Sequence, residues 1–171
     1  MKLTNILLAV TLLTGSAIAA EFIDYKKLTK QYKKDAKASG GYATAADVKK
    51  ALAAKDWIVA DVRTKEEWSG AAIKGSQRIG RQAPEKALEN FVTDDDGKMV
   101  KDKIIIVCNS AARASLEAQT IKQMGFKKVL IYDIYSWIDE CNPVVTKYTV
   151  KKDKGGKGLK FGDYYAEHCK K

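Results

Sequence analysis

The segment from residue 103 to residue 113, with the sequence KIIIVCNSAAR, decides the fold. After Lys103 comes a short apolar run of five residues that ends at Cys108, and such a run is typical of a strand buried on both faces of a parallel sheet. A loop of small residues follows, and an amphipathic helix is predicted from about Ala112 to about Met124. Together these elements predict a βα unit with Cys108 at the carboxyl end of its strand.

Cys108 is the most informative residue of this unit because of its position. Main-chain amides converge at the start of a helix, where the helix dipole is positive, and both favour a thiolate over a thiol. The thiolate is the nucleophilic form of cysteine. A buried cysteine can also be simply a small apolar side chain. The spacing Cys108-x4-Arg113, with small residues between, favours a functional site.

The flanking sequence repeats the alternation of strand and helix. Further apolar runs at 57–62 and 129–132 predict two more strands. Helices are predicted at 45–54, from Thr64 onward, at 84–91 and at 135–140, with a turn and a short strand within 73–79. This order predicts an α/β fold with a mostly parallel central sheet and helices on both faces. Ligands of such sheets bind at the carboxyl ends of the strands, where both Arg63 and Cys108 fall.

The ends of the chain differ from this central domain, which we place at residues 44–146. Residues 1–20 combine Lys2, a short apolar stretch and the small-residue pattern Ala17-Ile18-Ala19. They predict a secretory signal peptide and a periplasmic protein, with an uncleaved anchor as the alternative. Residues 21–43 predict a basic amphipathic helix that packs on the domain, or else one that lies on a membrane surface. Residues 147–171 form a basic tail.

The net charge of +10 narrows the class of ligand. A basic protein of this size suits nucleic acid, an anionic membrane or anionic small molecules. Export argues against nucleic acid. Anionic small molecules are then the simplest functional interpretation, and a solvated lysine surface is the alternative.

Three cysteines are an odd number for an oxidising compartment. If Cys108 is a working thiol, Cys141 and Cys169 are the natural pair, and their bond would tie the C-terminal tail to the domain. Cys141 could instead be a second redox thiol that reacts with Cys108. The sequence leaves both arrangements open because it does not report distances.

The chain resembles the single-domain rhodaneses in the order and spacing of several short motifs. The resemblance covers roughly residues 44–146, and within the family it is strongest toward the periplasmic polysulfide-sulfur transferases. The motifs that carry it are Asp61-Val62-Arg63, Glu66-Glu67, Gly70, Ile73-Lys74-Gly75, the run 104–107, Cys108-x4-Arg113 and Trp137.

The resemblance implies a role for each matched residue. Cys108 would accept sulfane sulfur as a persulfide, and Arg113 would face the anion bound over it. Arg63 would add positive charge at the mouth of the pocket. Arg81 would be a further basic residue of the site, with Arg78 as the competing register. The loop would bind the substrate through its main-chain amides, which belong to Asn109, Ser110, Ala111 and Ala112.

The resemblance also implies which partners to expect. The substrates would be anionic sulfur compounds such as polysulfide and thiosulfate, because guanidinium groups concentrate and orient anions. No cofactor and no metal would be needed. A membrane-bound sulfur-respiratory complex is an expected partner, and a homodimer is an open alternative to a monomer.

Three positions depart from the family pattern. Tyr132 and Asp133 stand where the family usually has two glycines, and Cys141 stands where a glycine normally follows the last helix. These replacements stiffen and fill a loop that the resemblance places near the pocket floor, so they put the shape of the pocket in question.

Other functions remain as alternatives at the level of sequence. A sulfur-binding carrier would use the same residues without turnover. A pseudoenzyme would be an interaction module, which the retained Cys108 and Arg113 argue against and the lost glycines argue for. A phosphatase or arsenate reductase also places cysteine and arginine on a strand, loop and helix, but generally needs the longer spacing Cys-x5-Arg. A hydrolase that pairs cysteine with histidine would depend on His168, which lies in the basic tail.

Overall fold

The structure is a computed structural model that describes residues 21–146, 162–164 and 166–169. The predicted signal peptide and most of the basic tail lie outside the described residues. None of the helices in the described part has both the length and the hydropathy to cross a membrane.

Four parallel strands form the central sheet, in the spatial order β2-β1-β3-β4. Because parallel strands need crossover connections, helices lie between them in sequence and cover the sheet. The predicted α/β class is confirmed. The strands are β1 (Trp57–Asp61), β2 (Gln77–Arg78), β3 (Lys103–Cys108) and β4 (Lys128–Asp133).

Two helices begin with the side-chain signals that the sequence contains. Thr44 and Asp47 form a capping box, in which each side chain bonds the other's main-chain amide, and Thr64 and Glu67 form another. Six α-helices are present in the described residues: α1 (Tyr25–Ala38), α2 (Ala45–Ala53), α3 (Lys65–Gly70), α4 (Pro84–Val92), α5 (Ala112–Gln123) and α6 (Ile134–Asp139).

Alternation along β3 divides the core between the two faces of the sheet. Ile104, Ile106 and Cys108 pack in the cluster that includes residues of α4 and α5. Ile105 and Val107 pack in the cluster that includes residues of α2 and α6. The thiol of Cys108 therefore belongs to the face that α5 covers, directly below the start of that helix.

The end of the domain is held by a short antiparallel pair and a covalent bond. Strand β5 (Val144–Thr146) pairs with β6 (Gly162–Tyr164). A disulfide joins Cys141 to Cys169, the pair that the cysteine count favours, and Cys108 is the free cysteine. Cys141 has a φ of 59°, in the region where glycine is unstrained, which accounts for a glycine being usual at this position.

Candidate functional site

Cys108 ends β3 at the carboxyl edge of the sheet. Its residue is only 2% exposed and lies in the core cluster below α5. In the sheet register it lies opposite Asp133 of β4. The loop that follows Cys108 connects the thiol to the start of α5 and forms the candidate ligand site beside it.

The loop after Cys108 presents a series of unpaired main-chain amides. Ala111 takes a left-handed conformation with a φ of 58° and begins α5 without a side-chain cap. Within the described part of the chain, no main-chain amide from Asn109 to Ala114 has a hydrogen-bond acceptor. Successive amides around a left-handed residue form a concavity that binds anions. The loop can therefore hold an anion above the thiol.

Glu67 holds the far end of this loop through Arg113. The two guanidinium nitrogens of Arg113 donate to the two carboxylate oxygens of Glu67 at 2.8 and 2.9 Å. Asn109 Nδ2 donates to the same carboxylate at 2.6 Å. The hydrogen bond from Arg113 is the largest cause that lowers the pKa of Glu67 to about 2. Arg113, predicted to face a bound anion, thus has its charge largely balanced by Glu67.

The resemblance predicts that Arg63 adds charge at the pocket mouth, and the structure pairs its guanidinium with Asp61 inside the fold. Its residue is 3% exposed, and its Nη2 donates to the fully buried Asp61 at 2.7 Å. The Nε atom of Arg63 lies 3.0 Å from both carboxylate oxygens of Asp61. Burying a charge is costly unless it is paired and hydrogen-bonded, so the Asp-Val-Arg motif forms an ion pair inside the fold. Arg63 reaches the loop only through a long contact to Asn109 Oδ1 at 3.4 Å.

The two remaining arginines lie farther along the chain near β2. Arg78 ends that strand, opposite Asp61 in the register, and its guanidinium group lies against Gly80. Arg81 is exposed in the turn before α4, and no hydrogen bond or ion pair to another described residue involves it. The structure does not bring either side chain into contact with the Cys108 loop in the region it describes.

Tyr42 and Asp133 lie beside Cys108 on the β4 side. The Tyr42 hydroxyl donates to Asp133 Oδ2 at 2.9 Å, while Asp133 Oδ1 accepts the amide of Ser136 and caps α6. Burial, with this hydrogen bond as the second cause, raises the pKa of Tyr42. A glycine at position 133 could not make either contact, because both depend on the Asp133 carboxylate.

The helix α1 completes the surroundings of the loop. Lys33 Nζ donates to the carbonyl oxygen of Ser110 at 3.3 Å. The sequence interpretation missed three residues of the site: Glu67, Tyr42 and Lys33. Only Glu67 gave a signal, as an acidic residue beside the carboxyl end of a strand, and its capping role concealed its second role.

A cluster of three potential metal ligands lies away from Cys108. It consists of Cys141, His168 and Cys169. The two sulfur atoms are bonded to each other, so neither is a thiolate that could bind a metal ion, and a single imidazole remains. We assign no metal site to this cluster.

Comparison with known proteins agrees with this geometry. The family model described as the rhodanese-like domain matches residues 44–137. This span begins at the N-cap of α2 and ends within α6, so it includes the whole sheet and Cys108. Helix α1 lies before it.

Individual relatives share the fold at low identity. YrkF of Bacillus subtilis (strain 168), a candidate sulfur carrier protein, is 35% identical over 72 residues, which cover 42% of this chain and 35% of YrkF. This chain therefore matches only about a third of the length of that curated relative.

Two solved structures were also compared. The polysulfide-sulfur transferase homodimer of Wolinella succinogenes is 22% identical with a TM-score of 0.50, covering 80% of this chain and 100% of that one. RPA3614 of Rhodopseudomonas palustris CGA009, a protein of unknown function and possible tyrosine phosphatase, is 21% identical with a TM-score of 0.52, covering 73% and 96%. At these identities the likeness establishes the fold alone.

Proposed function

This chain belongs to the rhodanese-like domain family, and on that premise we propose that it moves sulfane sulfur from polysulfide or thiosulfate to a thiol or cyanide acceptor. The carrier of the sulfur is a persulfide on Cys108. The observation that carries the proposal is the free thiol of Cys108 at the end of β3, below a loop of unpaired amides.

The transfer has two balanced steps. The Cys108 thiolate attacks the outer sulfur of the donor, the sulfur–sulfur bond of the donor breaks, and the remainder leaves with the bonding electron pair. The acceptor then attacks the terminal sulfur of the Cys108 persulfide, and the thiolate of Cys108 leaves. The amides from Asn109 to Ala114 can donate hydrogen bonds to the negative terminal sulfur between the steps.

The pair formed by Arg113 and Glu67 gives this loop its shape. A bidentate pair between arginine and a carboxylate fixes both partners in one plane. Because Arg113 closes the loop and Glu67 also holds Asn109, the carboxylate ties both ends of the loop to α3. Arg113 therefore acts mainly by positioning the amides, while its partly exposed guanidinium still adds positive charge close to Cys108.

A sulfur carrier without turnover is the second candidate, favoured by two observations. Cys108 is almost fully buried, which protects a persulfide from water and stray thiols. The matched region of YrkF, a candidate sulfur carrier, points the same way. Such a carrier would deliver polysulfide sulfur to a membrane-bound respiratory complex.

Steady-state turnover separates the two candidates. With the full chain, polysulfide as donor and cyanide in excess, we expect many molecules of thiocyanate for each molecule of protein. A single stoichiometric burst would favour the carrier. Hydrolysis of a phosphate ester without thiocyanate formation would contradict both and favour a phosphatase.

We also propose that the protein works in the periplasm. The disulfide between Cys141 and Cys169 supports this compartment because such bonds persist in oxidising surroundings. Fractionation of cells that make the full chain checks the proposal. Recovery of the protein in the cytoplasm with Cys141 and Cys169 reduced would contradict it.

A further inference from the structure

A cleft of about 350 Å³ lies between α1 and the start of α5. It adjoins the Cys108 loop, because Ala112 is both the first residue of α5 and part of the cleft wall. Three of its lining residues are lysines. The lining residues are Tyr25, Lys26, Thr29, Lys30, Lys33 and Ala112.

The three lysines share one face of α1. Lys26, Lys30 and Lys33 follow one another at intervals of four and three residues, which places them on the same side of a helix. Lys33 also bonds the loop carbonyl of Ser110 at 3.3 Å. No ion pair among the described residues involves any of the three.

The arginines of the site do not offer the same unbalanced charge. Arg63 is paired with Asp61 inside the fold, and Arg113 is paired with Glu67 through two hydrogen bonds. A paired cation attracts a further anion weakly, because its field is largely cancelled by its partner. The lysines of α1 are thus the main unpaired positive charge beside the loop in the part of the chain that the structure describes.

The lining of the cleft is largely apolar despite its three lysines. The Tyr25 ring and the Ala112 methyl group line it, and Thr29 is buried with its hydroxyl bonded to the carbonyl of Tyr25 at 2.9 Å. The aliphatic stems of the lysines extend the apolar wall while their ammonium groups stay in water. The cleft therefore suits a ligand with an apolar middle and a charged end.

We propose that Lys26, Lys30 and Lys33 form a subsite for the distal end of a polysulfide chain whose near end reacts at Cys108. A polysulfide dianion has soft, uncharged sulfur atoms between two charged ends, which matches a largely apolar lining that carries lysine ammonium groups. Thiosulfate contains a single sulfur–sulfur bond of about 2 Å and is too short to occupy both places. This inference rests on the proposed function and deepens it, because it makes the site selective for longer donors.

Two double variants on the same helix test the subsite. Lys26→Gln with Lys30→Gln removes two charges from the cleft, and Lys27→Gln with Lys34→Gln removes two exposed charges that do not line it. Two modest charge contacts predict that the cleft variant raises KM for polysulfide roughly tenfold, with kcat unchanged. Its KM for thiosulfate should change less than about twofold, because thiosulfate is too short to reach the subsite. An equal rise in KM for both donors would indicate only general electrostatic attraction by the lysines. The control variant should match the unmodified chain with both donors.

A binding measurement keeps this inference separate from the proposed function. Calorimetric titration of polysulfide into the Cys108→Ser variant, with and without the two cleft substitutions, reports the subsite without any transfer. Weaker binding with the cleft substitutions supports the subsite even if the unmodified chain shows no turnover, in which case only the proposed function fails. Equal losses in both double variants, or equal changes in KM for both donors, overturn the subsite in favour of nonspecific attraction.

Discussion

Replacing Cys108 with serine should reduce thiocyanate production to the uncatalysed rate. A serine hydroxyl is not ionised near neutral pH and cannot form a persulfide, so both steps of the transfer are lost. Removal of a nucleophile from a preorganised site typically costs a thousandfold or more, and we expect a loss of roughly that size or greater. Steady-state assay of the full chain with polysulfide and cyanide measures it.

A second substitution separates chemistry from folding. Cys108 is buried in an apolar cluster, so a serine hydroxyl there lowers stability to some extent. Cys108→Ala keeps a small apolar side chain in the same place and should be equally inactive. Far-ultraviolet circular dichroism and thermal unfolding should show a folded protein for both variants. Persistent transfer by a folded Cys108→Ala variant would refute the assignment of the nucleophile.

Replacing Asp61 with asparagine should strongly destabilise the fold. Arg63 is buried, and among the described residues its acceptors besides Asp61 are the main-chain carbonyls of Glu67 and Ala71 and the side chain of Asn109. Removing one partner of a buried ion pair leaves the other charge uncompensated, which typically costs about 3–5 kcal/mol. Urea unfolding at pH 7 measures the loss of unfolding free energy.

The ion pair between Asp56 and Lys103 supplies the matched control. The side chain of Asp56 is 49% exposed, and exposed pairs contribute at most about 1 kcal/mol. Asp56→Asn should therefore lower the unfolding free energy much less than Asp61→Asn does. If Asp61→Asn proves no more destabilising than Asp56→Asn, Arg63 is not held by a structural ion pair, and a role at the pocket mouth must be reconsidered.

The fold follows closely from local sequence signals. The run 104–108 is apolar throughout because both faces of β3 are covered there, and this single feature predicts the parallel sheet. Thr44 and Thr64 mark helix starts by side-chain chemistry that acts over three residues. Because these signals depend on residues that are close together in sequence, element positions could be predicted to within one or a few residues.

The charge pairing at the site could not be predicted in the same way. Arg113 and Glu67 are 46 residues apart in sequence, and they meet because α3 and the Cys108 loop both follow strands of the same sheet edge. Composition shows several arginines but not which carboxylate neutralises each one. The expectation of a guanidinium-lined pocket therefore placed the unbalanced charge on Arg63 and Arg113 rather than on α1.

For the two residues that replace the family glycines, the sequence predicted that they are unusual but not which contacts they make. The sequence identifies Tyr132 and Asp133 as replacements for glycines but does not say what they do. In the structure Tyr132 is buried, and its hydroxyl has no hydrogen-bond partner among the described residues. Asp133 caps α6 and accepts the Tyr42 hydroxyl. The cap is a local contact with Ser136, whereas the contact with Tyr42 spans 91 residues of sequence and could not be predicted from it.

The most direct test is mass spectrometry of the full chain after brief exposure to polysulfide and removal of the excess, with the peptide that contains Cys108 isolated under non-reducing conditions. We predict that this peptide gains the mass of one or more sulfur atoms and loses it when cyanide is added. An unmodified Cys108 peptide, with added sulfur found only at Cys141 or Cys169, would contradict the account.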